Sequence, residues 1–331
     1  MNEKELQKVI ASNLRECGSN DLTKAAEAQR VLAAALESPL KDGIEDGDTV
    51  SGLYTKQMLT NGARAEYPIS FYRNDNASEY VAYVIPSVGR IPQRIVEGDY
   101  ITVPTYDIGN AIDIPLKYVR DANWPVVERA ISVLEAGFTK KRNDDGWHAI
   151  ISAGNERNIM AYDSAAAGGS FTKRLVSLMK VVMRRNAGGN STSINRGKLT
   201  HLFVSPEGIE DIRNWDETQL DETTRREIYT AEDGSFNKIF GVTLVDLDEL
   251  GEQQEYQDYF TEIGGTLASN DLELVIGIDK SRNDSFYHPV REEFTLLSDP
   301  TQIRANLWSM YGREEAGWGV LNGVRVLLGS F

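Results

Sequence analysis

Residues 125–154 restrict the folding of this chain more than any other segment. Pro125 follows Asn123 and Trp124 and suits a first helical turn, where its missing N–H would have no helical partner. Val127, Ile131, Leu134 and Phe138 then fall at i, i+4, i+7 and i+11, a single apolar stripe. If the pattern runs on through Trp147, Ile150 and Ile151 to Gly154, about 29 residues give a rod of roughly 44 Å. Gly137 and Gly146 are the places where such a rod bends. A helix this long needs a partner along its whole stripe, most simply a sheet.

The chain has 331 residues, more than one hydrophobic core usually supports, so two sub-domains or one core with long extensions are expected. Its 41% hydrophobic and 26% charged content excludes global disorder. No apolar run reaches the roughly 18–20 residues that span a bilayer, so no membrane partner is expected. The opening MNEKELQKVI has no h-region or small-residue cleavage site, so no signal peptide is expected. Cys17 is the single cysteine, which excludes an intrachain disulfide and a cysteine-based zinc site.

Net charge is −15 from 35 basic and 50 acidic residues, which disfavours generic nucleic-acid binding. The charge is local. Residues 207–258 hold sixteen acidic and four basic side chains, a balance of −12, whereas residues 120–200 hold thirteen basic and seven acidic ones, +6. A solvated outer face accounts for the acidic window without any ligand.

The first forty residues read as two helices, the second capped by Thr23 and ended by Pro39. Residues 41–62 turn to Gly, Asp and Thr and read as an extended arm. Residues 66–115 read as a projecting ribbon: a strand at 79–85 (EYVAYVI), a turn marked by Pro86, Gly89 and Pro92, and a second run at 95–106. Ile108, Ile112 and Ile114 share one face of a third run. Two-stranded ribbons are marginal alone in water, so this one should dock on something. After the long helix come a small-residue linker (165–169), a helix at 172–185 and a Gly/Ser-rich loop at 187–193. A strand at 199–204 follows, with Ser205 capping a helix from Pro206. Strands at 239–245, 273–278, 293–297, 303–311 and 320–328 complete an α+β chain whose elements do not alternate as βαβ units.

Enzyme signatures are missing. Gly189, Gly197 and Lys198 have the wrong spacing for a phosphate loop, and no G-x-G-x-x-G or G-x-S-x-G occurs. Two groupings of possible metal ligands each have a simpler structural explanation. Asp144 and His148 stand four apart on the long helix, where exposed Asp/His pairs are common. Asp279, Ser281 and Asn283 imitate a calcium loop, but Asp284 replaces its glycine and Val290 its final glutamate, so a polar turn is expected. Cys17 lacks a neighbouring base. Neither catalytic residues, cofactor nor metal is expected.

The order of parts resembles the major capsid protein of tailed bacteriophages, the Hong Kong 97-type fold. The ribbon YVIPSVGRIPQRIVEGDYITVPTYDIGNAIDIPL is similar to that family's E-loop, and RDANWPVVERAISVLEAGFTKKRNDDGWHAIISAG to its spine helix. THLFVSPEGIEDIR and FNKIFGVTLVDLDEL resemble axial-domain elements; ELVIGIDKS through REEAGWGVLNGVRVLLGS resembles the closing strands. The resemblance implies an N-terminal arm (1–65), E-loop (66–115), spine helix of a peripheral domain (116–164), axial domain (165–270) and returning strands (271–331).

The resemblance also implies a mechanical function, with copies of the chain forming hexamers and pentamers in an icosahedral shell round double-stranded DNA. The arm and E-loop would lie along neighbouring subunits, with Arg73, Arg90, Arg94, Glu97 and Asp99 as inter-subunit charge partners. Expected partners are a portal, a separate scaffolding protein, a decoration protein, and DNA through weak non-specific contact. The place is the virion, after assembly in the host cytoplasm. Lys173, Arg174, Lys180, Arg184 and Arg185 are candidate DNA-facing residues, set against a solvated face paired with the acidic lobe. No lysine lies between Lys56 and Lys117, so the loop-lysine cross-link of some family members is not expected. An encapsulin-type nanocompartment shares the layout, and a metal-dependent enzyme using Asp144 and His148 is the alternative from another class.

Overall fold

The stripe at Val127, Leu134 and Phe138 becomes the buried face of a helix longer than the spacing predicts. The computed structural model describes residues 12–19, 21–60, 62–68, 100–121, 123–186, 197–213, 215, 238–268 and 270–331. Residues 12–17 are helical, and α1 follows at Leu22–Asp46. Strands β1 (Thr55–Met58), β2 (Glu66–Pro68) and β3 (Tyr100–Thr102) precede β4 (Tyr106–Pro115). A short α2 (Leu116–Arg120) leads to the 32-residue α3 (Trp124–Asn155). Next come β5 (Met160–Tyr162), α4 (Lys173–Asn186), β6 (His201–Val204) and α5 (Pro206–Arg213). They are followed by β7 (Lys238–Ile239), β8 (Val242–Asp246) and α6 (Glu255–Glu262). The chain closes with β9 (Leu274–Ile278), β10 (Phe286–Asp299), β11 (Leu307–Ala316), β12 (Gly319–Val320) and β13 (Val326–Ser330).

Two compact units result. The first comprises Met1–Ala65, Val103–Gly146 and Tyr287–Gly319; the second comprises Glu66–Thr102, Trp147–Phe286 and Val320–Phe331. Residues 124–146 of α3 belong to the first and 147–155 to the second.

In the first unit a sheet runs in the order β1-β10-β11-β4, with β1 parallel to β10 and the other pairs antiparallel. Alternation sets its faces. Ile108 and Ile114 of β4 and Trp308 and Met310 of β11 point into the core beside Leu134 and Phe138 of α3. Phe138 meets Phe294 edge to face at 4.9 Å, and a Cβ on Gly312 would clash with both rings. The outer face carries exposed Leu297 and Tyr311.

Residues 41–46, expected as the start of an extended arm, continue α1 instead. Leu14, Cys17, Leu32, Leu40 and Ile44 join the unit's own core. α1 also runs parallel to α3 along a close seam, with Gly43 against Glu135, Gly47 against Thr139, and Thr49 N–H on Asn143 Oδ1 at 3.0 Å. Asp21, not Thr23, caps the helix, which starts two residues earlier than expected. Pro39 lies inside it. Pro39 and Ala35 both face solvent, where the carbonyl left without a helical donor is open to water, and burial of Leu40 and Ile44 carries the helix onward.

In the second unit the sheet order is β5-β13-β9-β6-β8-β7. Leu175, Val176 and Met179 of α4 cover Leu202 and Val204 on one face. On the other, Trp147 packs on Phe203 at 4.7 Å. Cover on both faces explains why β9 (LVIGI) and β13 (VLLGS) are buried throughout rather than alternating. Ser205 caps α5 as expected, accepting from Gly208 N–H at 3.2 Å.

Candidate functional site

Of the expected E-loop, residues 66–68 and 100–115 are described. β2 and β3 pair antiparallel, Tyr67 opposite Ile101, and Val103 N–H donates to Ala65 O at 3.0 Å. The expected strand at 79–85 and the charge partners Arg73, Arg90, Arg94, Glu97 and Asp99 lie outside the described residues.

The five basic candidates all fall on α4, which carries no acidic residue. Its buried face is Leu175, Val176, Met179 and Met183, so Arg174, Lys180, Arg184 and Arg185 are left on the outside. They are not equivalent. Arg174 lies 3.6 Å from Asp163, and Lys180 Nζ donates to the Phe240 carbonyl at 2.7 Å. Lys173 Nζ sits 5.8 Å from the Phe240 ring. Phe240 and Gly241 link β7 to β8 with φ of 50° and 76°, a turn of the hairpin-favouring primed kind. Arg184 and Arg185 make no ion pair among the described residues.

The metal readings dissolve into packing. His148 stacks on Tyr259 with centroids 3.7 Å apart. Asp279 is fully buried, pairs with Arg325, and accepts Lys198 N–H at 2.8 Å and Ser281 N–H at 2.9 Å. Its carboxylate therefore ties a turn. Among the described residues no group of three or more His, Cys, Asp or Glu is placed to hold a metal. Burial, with Glu16 beside it, pushes the Cys17 thiol up to about 12, so it stays protonated at neutral pH.

One site escaped the sequence reading. A cavity of about 440 Å³ in the first unit is lined by charged groups from α1, β1, α3, β10 and β11. Glu293 receives both Lys41 and Lys56, the latter at 2.7 Å, and these bonds hold its carboxyl down to about 2. Arg142 of α3 pairs with Glu314 of β11. Burial raises the Asp48 carboxyl, although it accepts Val50 N–H at 2.9 Å and Ser51 N–H at 2.7 Å. A signal was available: Glu314 is an acid at an inward position of a strand whose other inward residues are Trp308, Met310, Gly312 and Ala316.

No protein-family model matches the chain, and no curated protein does. Solved structures do. A structure of Microbacterium phage Oxtober96 aligns with a TM-score of 0.56 at 10% identity, over 86% of this chain and 90% of that one. The Cyanophage Pam1 capsid asymmetric unit gives 0.56 at 14% identity, over 84% and 88%. The chain has the Hong Kong 97-type capsid fold. The Cyanophage P-SCSP1u capsid aligns over 84% of this chain and 86% of its own at a TM-score of 0.51 and 12% identity, so the likeness extends over most of the chain. Among the described residues no helix is long and apolar enough to cross a membrane.

Proposed function

We propose that this chain is a shell subunit of a tailed-phage capsid, assembling as hexamers and pentamers round double-stranded DNA. The observation that carries the reading is a likeness spanning at least 84% of both chains in each comparison with a titled phage capsid. Those titles favour a genome container over a cargo-enzyme nanocompartment. The packing of His148 on Tyr259 speaks against the Asp144/His148 enzyme reading.

In this reading the E-loop, which ends before β4 because Ile108 and Ile114 join the unit's own core, reaches a neighbouring copy, and Arg73, Arg90, Arg94, Glu97 and Asp99 supply charge at that contact. Of the α4 cations, Arg184 and Arg185 are the ones left to meet DNA phosphates, because Arg174 and Lys180 are engaged within the unit. A portal, a separate scaffolding protein and a decoration protein are the further partners, and the virion, built in the host cytoplasm, is the place of action.

Electron microscopy of the full chain, expressed alone and with the scaffolding protein of its genome, tests the proposal. Closed shells or ring-shaped capsomers are expected. A chain that stays monomeric under both conditions overturns it.

A further inference from the structure

β1 is a four-residue strand at the edge of the first unit's sheet, and its register on β10 sets Lys56 opposite His288. His288 is only 9% exposed. Its ring stacks on Trp318 with centroids 3.8 Å apart, and its Nδ1 lies 2.9 Å from the Gly317 carbonyl oxygen. A carbonyl only accepts, so Nδ1 carries the proton and the neutral ring has its one donor satisfied.

The imidazole lines the charged cavity, and each element round it brings charge. Lys56 of β1 and Arg142 of α3 are the cations that act on the ring. The carboxylates near it are already compensated: Glu293 of β10 by Lys41 of α1 and by Lys56, and Glu314 of β11 by Arg142. Glu45 of α1 is exposed, and Asp48 is turned to the Val50 and Ser51 N–H groups. A second positive charge beside Lys56 would therefore find no waiting partner, and like charges directly opposite on neighbouring strands destabilise their pairing.

We propose that His288 is an acid-operated latch, whose protonation opposite Lys56 releases the edge strand β1 from β10. Burial is the main force holding the ring down to about 4, against an ordinary 6.5, with Arg142 and Lys56 adding to it and the Gly317 bond opposing it. A histidine depressed in the closed state and normal in the open one takes up a proton on opening. Closure is therefore complete above pH 6.5 and weakens as pH falls from 6.5 through 4. The opening equilibrium should rise up to about tenfold per pH unit, roughly 300-fold in all. The latch lies within one unit and operates whether or not the chain assembles.

Hydrogen exchange on the full chain at pH 7, 6 and 5, corrected for the intrinsic pH dependence of exchange, tests this. Peptides covering β1 and Leu59, whose N–H donates to Val290 O at 2.8 Å, should lose protection on acidification while β4 and β11 keep theirs. In His288→Asn, whose amide still donates to Gly317 but does not titrate, β1 protection should be independent of pH. In Lys56→Gln the acid loss should shrink. An unchanged acid loss in either variant overturns the proposal, as does simultaneous loss across the whole unit in the unsubstituted chain. If His288→Asn fails to fold, the Lys56→Gln comparison decides.

Discussion

Arg142 Nε stands 3.0 Å from both carboxylate oxygens of Glu314, and its Nη2 contacts one of them as well. This forked pair joins α3 to β11 inside the first unit, with side-chain exposures of 12% and 2%. Arg142→Met strands a buried carboxylate and should cost about 3–5 kcal/mol in urea denaturation. The double variant Arg142→Met/Glu314→Leu should cost less than either single change, since it removes both charges. Equal or greater loss in the double variant would mean the pair contributes net stability.

Glu293 responds to acid in a different window from His288. Its carboxyl, held near 2 by Lys41 and Lys56, is depressed below the ordinary 4.5. It contributes stability above pH 4.5 and loses that contribution as pH falls from 4.5 toward 2. The side chain is 36% exposed, so the effect is at most about 1 kcal/mol and fades at high salt. Glu293→Gln should lower the pH 5–7 plateau by up to about 1 kcal/mol without changing its slope, and flatten the stability curve below pH 4.5.

Gly312 sits where Phe138 and Phe294 close over β11. A methyl group there must push apart two rings already in edge-to-face contact, because close-packed interiors hold no spare volume. Gly312→Ala should destabilise the protein by about 1–3 kcal/mol in thermal or chemical unfolding.

Reversal of charge at the end of α4 tests the DNA-facing assignment. Arg184→Glu/Arg185→Glu should leave stability within about 0.5 kcal/mol, as expected for exposed sites with no ion pair among the described residues. Particles built from it should retain less DNA at physiological salt. Unchanged packaging and retention would assign these residues to a solvated face.

Much of this architecture was legible locally. The stripe from Val127 to Phe138, the alternation of Ile108, Ile112 and Ile114, and the Ser205–Pro206 helix start each depend on residues a few positions apart. Periodicity and capping carry such information because the physics is that of one turn or one pleat. Pro39 misled for the opposite reason: what overrides a proline is the burial of Leu40 and Ile44 against distant partners.

The sequence by itself determined the long helix, the helices at 172–185 and from Pro206, where the charge lies, and that the chain is α+β; it did not show α6, β1 or the passage of α1 through Pro39. Tertiary structure alone decided that β1 pairs with β10, that Lys41 and Lys56 converge on Glu293, and that Lys56 faces His288. Register between segments far apart in the chain follows from how whole faces pack. No local spacing encodes it, so the charged cavity and the residues that could open it came into view only once the sheet was assembled.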